Sequence, residues 1–309
     1  MNWTKRLIAL LVTLGMTAVV TVLRVTLVPY LQNMDTGAFN LSYTVVILML
    51  LTLVAVFVLL YLEREEMPAL PALKGEWVLP FAVTVIAVGG CILLTTLVDI
   101  YNWGAFGITP PPGKVAAGTV DRMALFLSMG LGVLAGVYYI RLGSAWLRQK
   151  GEVRGLMPYW ALVPSFWIWA RLARYEISYA SAVEVHESFY DFAMLLLSML
   201  FLFALARRLT TVNPKKPFVT LFLALGTAFL SLSGAFARVI LFLLGNGDAY
   251  RAGQLAGLSD FGVGLLATAF SLYWLLSPPD EETEKAPAEV EPIEAETSDA
   301  AEEISVQAE

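Results

Sequence analysis

Residues 41–62 read LSYTVVILMLLTLVAVFVLLYL, a run of 22 positions without a single charged side chain. At 1.5 Å per residue, an α-helix of this length is about 33 Å long, which matches the ~30 Å hydrocarbon core of a bilayer. A helix satisfies its own backbone hydrogen bonds and can therefore cross lipid, where an irregular chain cannot. This stretch predicts a transmembrane helix.

Similar apolar runs fill most of the chain on both sides of this stretch. Because 58% of the 309 residues are hydrophobic, no separate soluble domain fits. We predict an all-α integral membrane protein, a polytopic bundle of about eight transmembrane helices within residues 1–277. The predicted spans are 7–31, 41–62, 78–100, 120–140, 156–173, 189–206, 218–244 and 255–276.

The first and the fifth span each have a feature that is unusual for a transmembrane helix. The first follows Lys5 and Arg6 as a secretory signal would, but it is too long and no small-residue cleavage site follows, so we expect it to remain as a helix. The fifth is short, and Pro164 interrupts its apolar stretch.

The distribution of basic residues predicts the orientation of the bundle. If the N-terminus is inside, twelve lysines and arginines lie at cytoplasmic helix ends and seven at the opposite ends. Short cytoplasmic loops are enriched in these residues, so we predict a cell membrane protein with both termini cytoplasmic.

The composition changes abruptly after the last span. Residues 278–309 carry twelve acids against the single base Lys285, a net charge of −11, so the membrane part carries +5 of the chain's total of −6. Such a segment is typical of a disordered tail. It either solubilises the chain end or contacts a cytoplasmic partner.

Ionisable residues recur in the outer half of the predicted spans. Counting helical rise from Arg207, Asp191 is about 24 Å deep, and Arg171 is about 26 Å from Arg154. Charges at such depth cost several kcal/mol unless they are paired or hydrated, and they commonly mark ligand or ion pathways. The residues concerned are Asp99, Arg122, Arg171, Arg174, Glu184, Glu187, Asp191, Arg238 and Asp260.

These charges also match in register, since positions equally far from the tip of a helical hairpin lie at equal depth. The register places acids opposite bases in three hairpins, and it leaves Arg24 to share Asp191 or Asp99. We predict structural ion pairs between Asp99 and Arg122 and between Arg238 and Asp260 near the membrane surface. The deeper matches are Arg171 with Asp191 and Arg174 with Glu187.

Aromatic residues accompany the deeper pairs, which we predict to line a ligand site. Guanidinium groups beside aromatic rings suit an anionic or zwitterionic headgroup, but acids that neutralise them leave the sign of the ligand open. The proposed site residues are Arg171, Arg174, Glu187, Asp191, Tyr175, Tyr190 and Trp167.

Motifs for other chemistry are weak or missing from the sequence. The segment Ser231–Gly234 resembles the glycine-serine nucleophile turns of intramembrane serine proteases, but those pair the serine with a histidine on a later helix, whereas His186 comes earlier. With one histidine and the single cysteine Cys91, we expect no metal site and no cofactor. Nothing in the pattern of basic residues suggests nucleic acid.

Three function classes remain, all for a protein whose partner is the lipid bilayer. The pattern favours binding or transport of a small molecule through an outward-facing polar pocket. The first alternative is a non-catalytic scaffold or subunit of a membrane complex, whose charged pairs hold helices together. An intramembrane enzyme is the second alternative, and it lacks a complete catalytic constellation.

Overall fold

The computed structural model describes residues 3–31, 36–62, 64, 67, 78–107, 119–149, 158–179, 185–210, 217–245 and 257–276. The predicted acidic tail, residues 278–309, lies outside this part. Regular structure in the described part is entirely helical. The helices are α1 Trp3–Leu31, α2 Thr36–Leu62, α3 Val78–Phe106, α4 Thr119–Gln149, α5 Val163–Tyr179, α6 Val185–Thr210, α7 Pro217–Leu243 and α8 Leu258–Leu276, with a 3₁₀ helix at Pro158–Leu162 before α5.

Seven of these helices are long and apolar enough to cross a membrane. The exception is α5, which has only 17 residues. It continues directly from the 3₁₀ helix, and together the two elements rise about 35 Å. The predicted all-α, multi-pass class is confirmed at this level.

The fifth span begins later than predicted, and proline explains the shift. Pro164 is the second residue of α5 rather than an interruption of it. A proline is well tolerated in the first turn of a helix, where its missing N–H group would have no partner in any case. The preceding apolar residues form the 3₁₀ helix instead.

Six helices form a closed ring around the charged residues described below. Each of α3 to α8 packs against the next helix in the chain, and α8 closes the ring by packing against α3. Outside this ring, α1 packs against α7, and α2 packs against α1 and α7. Helix α7 is consequently the most enclosed span, with 78% of its apolar window buried, whereas α2 has only 28% buried.

A close approach of glycines fixes the antiparallel register of α3 and α4. A Cβ atom on Gly89 would stand 2.7 Å from the carbonyl oxygen of Gly136, so only a residue without a side chain fits there. Further along, Gly132 of α4 lies beside Thr96 of α3 and Trp167 of α5. Helix α4 therefore runs opposite to α3, and α5 crosses back again.

The eight helices alternate in direction. Arg24 late in α1 lies over Tyr190 early in α6, while Phe57 late in α2 contacts Phe218 at the start of α7. We call the end of the bundle where α1, α3, α5 and α7 finish the charged end, and the other end the aromatic end. The first residue of α1 and the last of α8 both belong to the aromatic end.

Candidate functional site

Arginines and aspartates from five helices meet at the charged end. They lie in the later parts of α3 and α7, in the middle and later part of α5, and in the first two turns of α6 and α8, so the alternation of the helices brings them to one level. We call this set the ionic network; it consists of Asp99, Arg171, Arg174, Asp191, Arg238 and Asp260.

Asp260 is the most buried member of the network, with 5% of its side chain exposed. Arg171 donates a hydrogen bond through Nη1 to its Oδ1 at 2.6 Å. Arg238 donates through Nη1 to its Oδ2 at 3.4 Å. Both carboxylate oxygens are therefore engaged by guanidinium groups, which compensates the cost of burying the charge.

Arg238 joins a second aspartate to the same group. Its Nη2 donates to both oxygens of Asp191, each at 2.8 Å. The two side chains are 14% and 20% exposed. Because Arg238 contacts Asp191 and Asp260 at once, it connects α6, α7 and α8 in one charged chain.

The remaining pair is looser and more exposed. Arg174 Nη1 lies 3.9 Å from Asp99 Oδ2, and the two side chains are 33% and 28% exposed. At this distance the contact is electrostatic and too long for a hydrogen bond. The network thus grades from a buried, tightly bound carboxylate at Asp260 to an accessible, loosely held pair at Asp99.

A second polar cluster lies beside the network. Arg24, only 1% exposed, places its Cζ 4.0 Å from the centre of the Tyr190 ring. The Tyr190 hydroxyl donates to the carbonyl of Leu230 at 3.0 Å and is hydrogen-bonded to Ser233 Oγ. The cluster joins α1, α6 and α7 with a cation–π contact and hydroxyl groups.

Two of the four ion pairs in the network join helices that are neither hairpin partners nor neighbours in the ring. Arg171 of α5 reaches Asp260 of α8, and Arg174 of α5 reaches Asp99 of α3, whereas the ring neighbours of α5 are α4 and α6. The α5 side chains therefore extend across the interior of the ring at its charged end.

Only part of the predicted pairing is present. Arg238 and Asp260 are paired as expected. The expected match of Arg171 with Asp191 was wrong, because Arg171 points to α8 and Asp191 is held by Arg238. Equal depth is necessary for contact, but the rotation of each helix decides the partner.

The other predicted pairs also differ. Asp99 lies beside Arg174, while Arg122 is exposed and forms no ion pair with any described residue. The Arg174 and Glu187 match cannot be placed, since the side chain of Glu187 lies outside the described residues, as do Glu184 and the side chain of His186.

The predicted aromatic residues surround the network unevenly. Trp167 is buried, and its ring lies 5.1 Å from Cζ of Arg171, a cation–π contact. Tyr190 is buried under Arg24, and Tyr175 is half-buried one residue after Arg174. The hydrogen bond between Tyr190 and Ser233 was not predicted from the sequence. The position of Ser233 just over one turn before Arg238 does indicate that it lies near the depth of the ionic network.

Ser233 is held in a way that opposes a nucleophile. Its Oγ donates to the carbonyl of Phe229 at 2.5 Å and contacts the Tyr190 hydroxyl, and the residue has no exposed surface. A nucleophilic serine needs a base that removes its proton and a route for substrate. The surroundings of Ser233 instead join α6 to α7.

The fold and this site define a class: an all-helical, multi-pass membrane protein with an ionic network gathered at one end of a helical ring. The chain matches no protein-family model, and comparison with curated proteins and with solved structures gave no match.

Proposed function

We propose that the protein binds a small polar molecule at the ionic network and passes it across, or senses it at, the cell membrane. The chain would lie with both termini in the cytoplasm and its charged end facing outward. The accessible pair of Arg174 and Asp99 would be the entrance, and the buried Asp260 the floor of the site.

One observation carries this proposal: arginines of α5 cross the ring interior to acids on α8 and α3. Ion pairs that serve only to dock helices would be expected between packed neighbours, where they replace apolar contacts directly. Charges gathered from five helices onto one accessible level instead resemble the way that membrane proteins build polar binding sites.

The energetic cost of the network supports the same conclusion. Apolar residues of similar volume often stabilise a protein as well as buried ion pairs do, because the desolvation of both charges offsets their attraction. A cluster of three aspartates and three arginines inside a membrane bundle therefore carries a high desolvation cost if it serves only to hold helices together. Its presence is easier to explain if the charges contact a ligand.

The exposed arginines of the aromatic end support the orientation. Arg64, Arg141, Arg148 and Arg207 are all exposed there, where they can reach lipid phosphates and water. Arginines with this placement favour the cytoplasmic side of a membrane. The ionic network would then open to the outside.

A thermal-shift screen of the detergent-purified protein tests the proposal. Amino acids, nucleosides, lipid headgroups and common ions would be compared on wild type, Arg171→Ala and Arg122→Ala. Ligand binding raises the unfolding temperature of a protein that binds it only when folded. We expect a compound that stabilises wild type and Arg122→Ala but not Arg171→Ala; no shift by any compound would count against ligand binding.

Cysteine labelling distinguishes transport from simple binding. The single cysteine, Cys91, can be replaced and new cysteines introduced at either end of the ring. Alternating access predicts that ligand changes labelling at both ends in opposite directions. A receptor predicts a change at the charged end alone.

A second candidate, a membrane scaffold or complex subunit, is favoured by the saturation of Asp260. Two arginines bind this carboxylate, which is almost fully buried, as a purely structural fastener would require. The acidic residues 278–309 would then recruit a cytoplasmic partner. Deletion of these residues should abolish co-purification of that partner, and leave ligand-induced stabilisation unchanged if the first proposal holds.

A further inference from the structure

One side of α7 carries hydroxyl groups below Arg238, toward the aromatic end. Ser231 lies seven residues before Arg238, and Thr227 lies four residues before Ser231, so the three side chains share one side of the helix. Arg238 contacts Asp191 of α6 and Asp260 of α8, the two ring neighbours of α7. This side of α7 therefore faces the interior of the ring.

The contacts of Ser231 agree with this direction. Its Oγ lies 3.4 Å from Oγ of Ser198 on α6, and its Cβ lies 3.1 Å from where a side chain on Gly264 of α8 would begin. Ser198 and Ser231 are each seven residues from a member of the ionic network, which puts both about 10 Å below it. Both serines are buried.

These hydroxyls differ from other buried hydroxyls of the bundle in their hydrogen bonds. Thr13 and Thr17 of α1 each donate to the carbonyl four residues earlier, at 2.8 and 2.7 Å, as hydroxyls in apolar helices commonly do. In the described part of the chain, Thr227 Oγ1 is buried and has no hydrogen-bond partner. The 3.4 Å contact of Ser198 with Ser231 is longer than a good hydroxyl hydrogen bond. Such groups cost free energy unless water or a polar solute reaches them.

Two phenylalanines meet in front of the same side of α7. Phe201 of α6 and Phe270 of α8 are buried, and their ring centroids lie 5.8 Å apart. Because α7 lies between α6 and α8 in the ring, the two rings touch across its interior side. Each phenylalanine lies ten residues beyond the network aspartate of its own helix, about 15 Å toward the aromatic end. That is also the depth of Thr227.

We propose that the polar molecule crosses the bundle through the interior of the ring, along Ser198, Ser231 and Thr227. The rings of Phe201 and Phe270 form the barrier that closes this path. Hydroxyl groups four residues apart on a helix lie about 6 Å apart, a distance that one water or one polar group of a solute bridges. The assignment rests on the proposed function for the molecule that it carries, and it adds transport by a defined route to binding at the network.

Cysteine labelling tests the path. In a Cys91→Ala background, Ser231→Cys and Thr227→Cys are reacted in nanodiscs with hydrophilic methanethiosulfonates, one positively and one negatively charged. Leu225→Cys is the matched control, because Leu225 is similarly buried but lies on the opposite side of α7 from Thr227. A thiol reacts as its thiolate, which needs water, so we expect Ser231→Cys to react at least about tenfold faster than Leu225→Cys.

Removing one ring tests the barrier. Phe201→Ala leaves a cavity at the depth of Thr227 and should speed the reaction of Thr227→Cys about tenfold. Phe201→Leu makes a smaller change, and should act in the same direction if Phe201→Ala does not fold. Phe203→Ala shortens an exposed phenylalanine of the same helix and should leave the rate unchanged. Size-exclusion profiles show which variants are folded.

Three results would contradict the assignment. Equally slow reaction of Ser231→Cys and Leu225→Cys would mean that the interior is dry, and would overturn the path. Equally fast reaction of both would mean that the helix opens as a whole, and would overturn it too. An unchanged rate of Thr227→Cys with the folded Phe201 variants would overturn the barrier.

The labelling results are separable from ligand binding itself. If the thermal-shift screen finds a ligand while Ser231→Cys and Leu225→Cys react equally slowly, binding at the ionic network stands and the path is wrong. If Ser231→Cys reacts fast but no compound stabilises the protein, the interior path stands and the proposed binding at the network fails.

Discussion

The two ends of the bundle use the same residue type in opposite ways. At the aromatic end the arginines, such as Arg148 and Arg207, are exposed, and the helices are held by rings such as Phe81 and Trp146, whose centroids lie 5.5 Å apart. At the charged end the arginines turn inward to aspartates. The aromatic end is thus held by apolar packing and the charged end by ion pairs, and under the proposed function ligand recognition would belong to the charged end.

The largest effect is expected at the aromatic end. Trp146 is 2% exposed and packs on Phe81, so Trp146→Ala leaves a cavity and should cost about 3–5 kcal/mol of unfolding free energy. Ligand-induced stabilisation should survive. Unfolding in mixed detergent micelles measures the cost, and Leu147→Ala, at a 41% exposed neighbour, is the matched control with little change. If Trp146→Ala also lost ligand-induced stabilisation, the two ends would not have separate roles in stability and ligand binding.

The next effect is expected at the floor of the ionic network. Asp260→Asn removes the charge that Arg171 and Arg238 both contact, so it should cost about 2–3 kcal/mol. The same unfolding assay measures this value. Stability equal to wild type would mean that the two arginines find compensation elsewhere, and that Asp260 is not the centre of the network.

The fold was largely predictable because membrane crossing depends on length and composition. Eight apolar runs predict eight crossings, and alternation alone then puts Asp99, Arg171, Asp191, Arg238 and Asp260 at one end. Several helices extend beyond the predicted spans, such as α4, which ends at Gln149 rather than at residue 140, and the fifth crossing starts with a different type of helix. There the sequence shows an apolar stretch with a proline, but not that the residues before Pro164 adopt a 3₁₀ helix.

The ion-pair partners within the site were less predictable from the sequence than the depth at which the charges lie. The depth of each charge follows from counting residues, but the partner depends on helix rotation and on which helices meet in the ring. Hairpin neighbours α5 and α6 are in contact, yet Arg171 of α5 turns to Asp260 instead of Asp191. Arg171 and Asp260 come together because α8 packs against α3, and no local sequence pattern predicts this packing.

A pair of double-mutant cycles tests the observed pairing against the hairpin pairing. Arg238→Ala and Asp191→Ala should couple by about 1–2 kcal/mol, because Arg238 contacts both oxygens of Asp191. Among the described residues, Arg171 and Asp191 are joined only through Asp260 and Arg238, so the coupling of Arg171→Ala with Asp191→Ala should be smaller than that of the Arg238 and Asp191 pair. Unfolding free energies of the single and double variants give both values. The reverse result would restore the hairpin pairing.

The smallest effect on stability is expected at the accessible edge of the network. Asp99→Asn should cost less than about 1 kcal/mol, because the pair with Arg174 is 3.9 Å long and partly exposed, and the cost should fall further in high salt. Unfolding at low and high salt measures both effects. Asp99 and Asp260 are the same residue type in one network, so they form a matched pair. If Asp99→Asn cost as much as Asp260→Asn, the whole charged end would serve to hold the helices together, whereas a small cost is what the proposed ligand site requires of its accessible edge.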